Sequence, residues 1–192
     1  MAIIYVTGGA KSGKSKFAED LLLSLNDGKQ KNVYLATSVV FDEEMQKKVE
    51  LHKARRKDNW ITVESYKNFS QSLEEVMNEN KKNKKNNMLV DCLTNMISNI
   101  IFENEEIDWE KPEKNQLEKC DENVEKEVQN LCEIFKNFEN VVIVSNEVGM
   151  GLVPAYPLGR YFREIAGRMN QFVAEKSDEA YFVVSGISMK IK

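Results

Sequence analysis

Histidine is almost absent from this chain of 192 residues, where His52 stands alone. Any histidine-dependent chemistry must pass through that one side chain. Cysteine is nearly as scarce: Cys92, Cys120 and Cys132 are odd in number and show no C-x-x-C spacing. Neither a disulfide framework nor a zinc site is indicated, and a reducing cytosol fits best. No apolar run approaches the roughly 20 residues that span a bilayer. The apolar start, residues 1–6, is too short for a signal sequence and runs straight into a glycine loop. An excess of one charge is also missing. Lys and Arg number 27 against 31 Asp and Glu, a net charge of −4, so nothing suggests a protein that coats nucleic acid or an anionic membrane. These absences leave a cytoplasmic protein with neither a nucleic-acid nor a membrane partner.

What is present is a chain that is 42% hydrophobic, of a length that suits a single domain, residues 1–192, around one sizeable core. Short β-rich runs occur at residues 3–7, 33–37, 60–64, 88–91, 141–145 and 180–185. Most are near-continuous apolar segments, the pattern of strands covered on both faces. Helical stretches lie between them. They are residues 15–25, residues 42–57 with Phe41, Met45 and Val49 at four-residue spacing, and a stripe of Leu158, Phe162, Ile165, Met169, Phe172 and Val173. Strand alternating with helix predicts an α/β domain, a mainly parallel sheet with helices on both faces. Beyond residue 185, Gly186 precedes alternating Ile187, Met189 and Ile191, which predicts a tight hairpin and a C-terminal antiparallel edge strand. Residues 78–87, nearly all Asn and Lys, read as a solvated connection. The acidic residues 103–125 read as a loop leading into a helix that ends near Phe138.

The most specific string is Gly8, Gly9, Ala10, Lys11, Ser12, Gly13, Lys14 and Ser15, which fills G-x-x-x-x-G-K-S between a first strand and a first helix. Glycines let backbone N–H groups converge on phosphates, and the helix N-terminus adds its dipole. Lys14 would reach the β- and γ-phosphates while the Ser15 hydroxyl ligates Mg2+. Such a P-loop also calls for an acidic group at the end of a neighbouring strand. Asp91 closes the run Met88-Leu89-Val90-Asp91 and is the first candidate for the metal; an aspartate that caps the following helix is the alternative. Glu64, at the end of another strand, is a second candidate, against a solvent-facing carboxylate.

On a helix, Lys48, His52, Arg55 and Arg56 share one face. Like charges stacked this way repel by roughly a few tenths of a kcal/mol per pair, and an anion would gather them. Arg suits bidentate phosphate contacts. A neutral imidazole in that group would serve as a nucleophile toward phosphorus, since neighbouring cations depress its pKa. A solvated basic face with an incidental histidine explains the same residues.

Further strings follow in order. They are Ala36-Thr37-Ser38, His52-x-x-Arg55-Arg56, Asn146-Glu147-Val148-Gly149-Met150-Gly151, Arg160-x-Phe162-Arg163-x-x-x-Gly167-x-x-Asn170-Gln171 and the ending Val184-Ser185-Gly186-Ile187. With the glycine loop, and over nearly the whole chain outside the Lys/Asn-rich stretch and residues 103–125, they resemble the bifunctional adenosylcobinamide kinase/adenosylcobinamide-phosphate guanylyltransferase family of cobalamin (vitamin B12) assembly. The resemblance implies that a nucleoside triphosphate, ATP or GTP, phosphorylates the aminopropanol hydroxyl of adenosylcobinamide. GTP then transfers GMP to a histidine, which matches His52, and on to the phosphorylated corrinoid. Family nucleotide contacts map to the glycine loop, Ala36, Thr37, Ser38, Lys53, Ala54, Arg55, Arg56, Glu64 and Asp91, and the implied assembly is a homotrimer. Members often carry proline after the arginines; Lys57 here predicts a slightly longer helix.

The expected fold is a P-loop NTPase domain of the RecA-like group. Residues 146–151 follow a strand's carboxyl end, where α/β ligand sites lie, and are expected to contact the second substrate or shape the phosphate pocket; a structural glycine turn is the alternative. Arg160, Arg163, Arg168 and Asn170 ride the polar face of the long helix, either simply solvated or in contact with substrate or another subunit. Trp60, Trp109 and the eight methionines read as packing rather than as corrinoid platforms. Two rival functions fit the glycine loop: a kinase for another small molecule with His52 inert, and a non-catalytic nucleotide switch.

Overall fold

The computed structural model describes residues 1–26, 28, 30–39, 60–104 and 106–192. The expected helix over residues 42–57, with His52, Lys53, Ala54, Arg55 and Arg56, lies outside the described residues.

The described strands form a seven-stranded sheet of order β3-β2-β4-β5-β1-β6-β7. The strands are β1 (Ala2–Gly8), β2 (Asn32–Ala36), β3 (Trp60–Glu64), β4 (Met88–Asp91), β5 (Asn140–Asn146), β6 (Glu179–Val184) and β7 (Ile187–Lys190). Every pairing is parallel except β6 with β7. Five of the strands thus match the apolar runs to within a residue at either end, and β6 starts and stops one residue earlier. The edge strand arrives through a two-residue turn. Ser185 (φ 51°) and Gly186 (φ 81°) both take left-handed backbone, the requirement of a type I′ hairpin.

Two apolar layers sandwich the sheet, and the strand period of two divides them. Ile4, Val6, Tyr34, Leu89, Val142 and Val144 face α1 (Lys14–Leu25), which buries Ala18 and Leu22 against them. Tyr5, Val33, Leu35, Met88, Val90, Val141 and Ile143 face the larger layer. That layer contains α4 (Leu93–Phe102), α5 (Lys114–Ile134) and α6 (Pro157–Lys176), together with the short α2 (Phe69–Ser72) and α3 (Glu74–Lys82). Local signals set the helix starts. Glu113 and Gln116 form a reciprocal capping box at α5, and Pro157 opens α6, where its missing N–H costs nothing. The predicted stripe on α6 is real: Ile165, Met169 and Val173 are buried, and Leu158, Phe162 and Phe172 pack at its margin. Trp60 packs edge-on against Tyr34, and Trp109 packs at a tilt against Tyr161.

The Asn/Lys-rich stretch is the expected solvated connection only in part, with residues 81–85 exposed. Residues 78–82 complete α3, and Asn80, Asn86 and Asn87 are buried. Asn80 donates to the Asn137 carbonyl (3.0 Å) and accepts the Asn86 N–H (3.1 Å), while Asn86 donates to the Lys31 carbonyl (2.6 Å). Amide side chains here replace backbone partners at the strand starts, so a polar composition hides three buried asparagines among exposed residues.

Candidate functional site

The glycine loop begins where β1 stops. Gly8 pairs with Val183 of β6, and a Cβ on Gly8 would lie 2.3 Å from the Val183 carbonyl oxygen, so no side chain fits there. The chain then turns through Lys11 (φ 58°) and Gly13 (φ 95°), a conformation glycine adopts freely and lysine does not. Gly13 caps α1 without a side-chain hydrogen bond, and the first turn of α1 has no acidic residue. The positive end of the helix dipole is left for an anion. Hydrogen bonding from the hairpin braces the loop: the Gly186 N–H donates to the Ser12 carbonyl at 2.8 Å. A Cβ on Gly13 would stand 3.2 Å from the Gly186 Cα.

Lys14 is buried, and its ammonium donates to the Gly9 carbonyl at 3.0 Å. Burial pushes its pKa below the ordinary value, against the opposing pull of Cys92 and Asp91. The Ser12 hydroxyl is buried with no hydrogen-bond partner. A poorly solvated cation, an orphaned hydroxyl and an uncapped helix start in one loop are what an incoming phosphate would satisfy together.

Asp91 ends β4, which β5 separates from β1. Two strand spacings place it roughly 10 Å across the sheet from the loop strand, and its charge reaches the Lys14 ammonium. The Tyr34 hydroxyl donates to Asp91 Oδ2 at 2.7 Å, which orients the carboxylate. Asp91 is not the cap of α4; that position belongs to Cys92, which makes no side-chain cap bond. Burial pushes the Cys92 thiol up to about 11, so it stays protonated near neutrality.

Between these groups, residues 146–151 leave the end of β5. The Glu147 N–H donates to the Gly8 carbonyl at 3.0 Å, and Glu147 Oε1 accepts the Gly149 N–H at 2.9 Å. The segment is tied down from below. Asn146 donates to Thr94 Oγ1 (2.8 Å), Asn170 donates to the Asn146 carbonyl (3.1 Å) and accepts from the Ser145 hydroxyl (2.6 Å). Arg163 donates to the Gly149 carbonyl at 2.7 Å. The polar-face reading of α6 therefore fails for Asn170, which is buried under the loop because α6 packs against β5's end. Arg160 turns to the Pro154 and Ala155 carbonyls, and Arg168 pairs with Asp121.

Ala36, Thr37, Ser38 and Glu64 form a second region at the far side of the carboxyl edge. Thr37 is buried, with its hydroxyl on the Cys92 carbonyl (2.6 Å), and the Ser38 hydroxyl accepts from Asn95 (2.6 Å). Glu64 is exposed and lines a cleft of about 460 Å³ with Ser38, Tyr66, Lys67 and Asn68. In strand order β3 lies four spacings from β1, roughly 19 Å. The structure thus unites residues 8–15 with Asp91 and sets Glu64 apart. It also adds residues that no motif had singled out. Tyr34 holds Asp91 from 57 positions away, and nothing local signals it. Glu147 lies within a string already noted, yet only packing shows it beside the loop.

Comparison with known proteins gives a consistent result. A family model described as cobinamide kinase / cobinamide phosphate guanyltransferase matches residues 4–191. The bifunctional adenosylcobalamin biosynthesis protein of Escherichia coli (strain K12) is 38% identical over 192 residues, 99% of each chain. Its counterpart in Salmonella typhimurium is 37% identical over 195 residues, again 99% of each. That of Pseudomonas aeruginosa is 30% identical over 190 residues, 97% of this chain and 95% of the other. Among solved structures, a KaiC-like protein from Pyrococcus horikoshii OT3 aligns with a TM-score of 0.47 and 11% identity, over 94% of this chain and 70% of that one.

Proposed function

The chain belongs to the cobinamide kinase / cobinamide phosphate guanyltransferase family, and from that premise we propose that it performs both transfers of cobalamin assembly named there. In the first, a nucleoside triphosphate phosphorylates the aminopropanol hydroxyl of adenosylcobinamide. In the second, GTP gives GMP to His52 with release of pyrophosphate, and the GMP passes to the phosphorylated corrinoid. The observation that carries the reading is the glycine loop, where buried Lys14 and the open start of α1 converge.

Phosphoryl transfer depends on positioning and charge neutralisation rather than on covalent chemistry by the protein. Loop N–H groups would orient the phosphates, and Lys14 would move from the Gly9 carbonyl to the β- and γ-oxygens. Mg2+ suits the oxygen donors here, since it takes one or two protein oxygens plus phosphates and water. Ser15, on the first turn of α1, and Asp91, oriented by Tyr34, would hold it. Bound there, it would neutralise charge on the phosphates. Guanylyl transfer would draw on Lys53, Ala54, Arg55 and Arg56 beside His52, with Ala36, Thr37, Ser38 and Glu64 supporting the nucleotide. The assembly is a cytoplasmic homotrimer in this reading; the exposed apolar edge of Ile187, Met189 and Ile191 offers a subunit contact, and among the described residues no helix is long and apolar enough to cross a membrane.

The test uses α-labelled GTP with Mg2+. Wild type should acquire acid-labile, base-stable label and His52→Ala none. Full labelling of His52→Ala would sink the histidine route. Label from γ-labelled GTP would instead indicate a phosphohistidine, and corrinoid-dependent consumption of nucleotide would exclude a non-catalytic switch.

A further inference from the structure

We propose that the cleft flanking the glycine loop receives the acceptor hydroxyl of the kinase step, and that Glu147 is the general base that takes its proton. The inference rests on the kinase reading above and assigns it a residue. The cleft measures about 360 Å³ and is lined by residues 9–12, Glu147, Met150 and the end of β6. Among those lining residues Glu147 is the one carboxylate. Its backbone is fixed to the loop through the Gly8 carbonyl, and its side chain is oriented by the Gly149 N–H. Arg163 in turn holds the Gly149 carbonyl. A general base needs that kind of anchoring within reach of the reacting oxygen.

The two carboxylates at the loop divide the work by position. Asp91 lies on the β4 side, bonded to Tyr34, and its charge is felt at the Lys14 ammonium. Glu147 opens toward the β6 side, into the cleft. The metal and the acceptor proton are thereby served from opposite flanks of the same phosphates. In the step itself, the hydroxyl oxygen forms the new bond to the γ-phosphorus as the β,γ-bridging P–O bond breaks. The electron pair leaves on the nucleoside diphosphate, and the hydroxyl proton moves to the Glu147 carboxylate. No further reactant is needed.

Size supports the same acceptor. The cleft is at the small end of the range for ligand pockets, about 300–1,000 Å³, which suits the aminopropanol arm and excludes the macrocycle. Met150 on the cleft wall is 76% exposed, and Leu152 and Val153, close by in the chain, are 96% and 68% exposed. These neighbouring exposed apolar side chains would offer a surface on which a corrin face rests.

Glu147→Gln keeps the oxygen that accepts from Gly149 and removes only the base. Its kcat for cobinamide phosphorylation should fall about 10²–10³-fold. The KM for nucleotide, the melting temperature and corrinoid-free labelling by α-labelled GTP should match wild type. Leu152→Ser should raise the KM for cobinamide and leave kcat in place. Wild-type kcat in Glu147→Gln overturns the base, and parallel loss of labelling shows a damaged nucleotide site instead. If Leu152→Ser weakens nucleotide rather than corrinoid, the cleft is a nucleoside site and the acceptor assignment is wrong. Absence of corrinoid phosphorylation in wild type would remove the kinase reading itself, a separate result.

Discussion

At the amino end of the sheet, Asn80 binds the Asn137 carbonyl and the Asn86 N–H, Asn86 binds the Lys31 carbonyl, and Asn140 donates to Asn87. Asn32 accepts from Asn26, and only its own Nδ2 in this cluster goes without a partner. At the carboxyl end, Lys14 is parked on a backbone carbonyl, the Ser12 hydroxyl has no partner, and Lys11 takes left-handed backbone. Both ends are polar and largely buried. One closes on itself and the other keeps its bonding capacity for something else. Satisfied buried amides contribute to stability, whereas unsatisfied donors and strained backbone collect where a ligand completes the structure.

That contrast can be broken by substitution, and the largest effect should come at the carboxyl end. Lys14→Met should lower kcat/KM in the phosphoryl-transfer assay about 10²–10³-fold, the scale of losing one electrostatic transition-state contact. Its melting temperature should not drop, because the lost group is a desolvated cation; a clear drop would make Lys14 a structural residue. Asn80→Ala should do the reverse. Two hydrogen bonds vanish, leaving the buried Asn86 N–H and the half-buried Asn137 carbonyl without their partner. Urea unfolding should therefore show a loss of about 1–3 kcal/mol, with kcat and KM unchanged. Altered kinetics in that variant would mean that the two ends are coupled.

The smallest effect concerns pH. Burial lowers the Lys14 pKa in the folded chain below its ordinary 10.5. Between those two values the unfolded chain binds more protons, so stability rises with pH there. Below the folded value both states are charged and the burial penalty is present in full. Melting curves of wild type minus Lys14→Met, stepped up to pH 10.5, should show wild type gaining as pH rises through that window. A flat difference would show that the ammonium is solvated.

Much of this was legible from residues alone. Continuous apolar runs marked the strands because parallel strands are covered on both faces, and Gly186 with alternating Ile187, Met189 and Ile191 marked the hairpin. The glycine loop announced itself through spacing. In the Asn/Lys-rich stretch only Asn80, Asn86 and Asn87 misled, because composition reports polarity and an amide inside a hydrogen-bond network is as polar as one in water. Asn170 misled for the same reason: helix periodicity put it among Arg163 and Arg168, but β5 ends just beneath it and supplies its partners. His52 and its arginines lie outside the described residues, so their placement rests on the sequence pattern.

The sequence by itself determined that a phosphate cradle stands between a strand and a helix. The pattern is local: Gly8 and Gly13 in fixed spacing before Lys14 and Ser15, with Gly13 in left-handed backbone that few other residues tolerate. Only the tertiary structure decided what surrounds that cradle. The Gly186 N–H on Ser12, Tyr34 on Asp91 and Glu147 beside Gly8 join segments far apart in the chain. Their juxtaposition follows from strand order and register, which no local pattern of residues encodes.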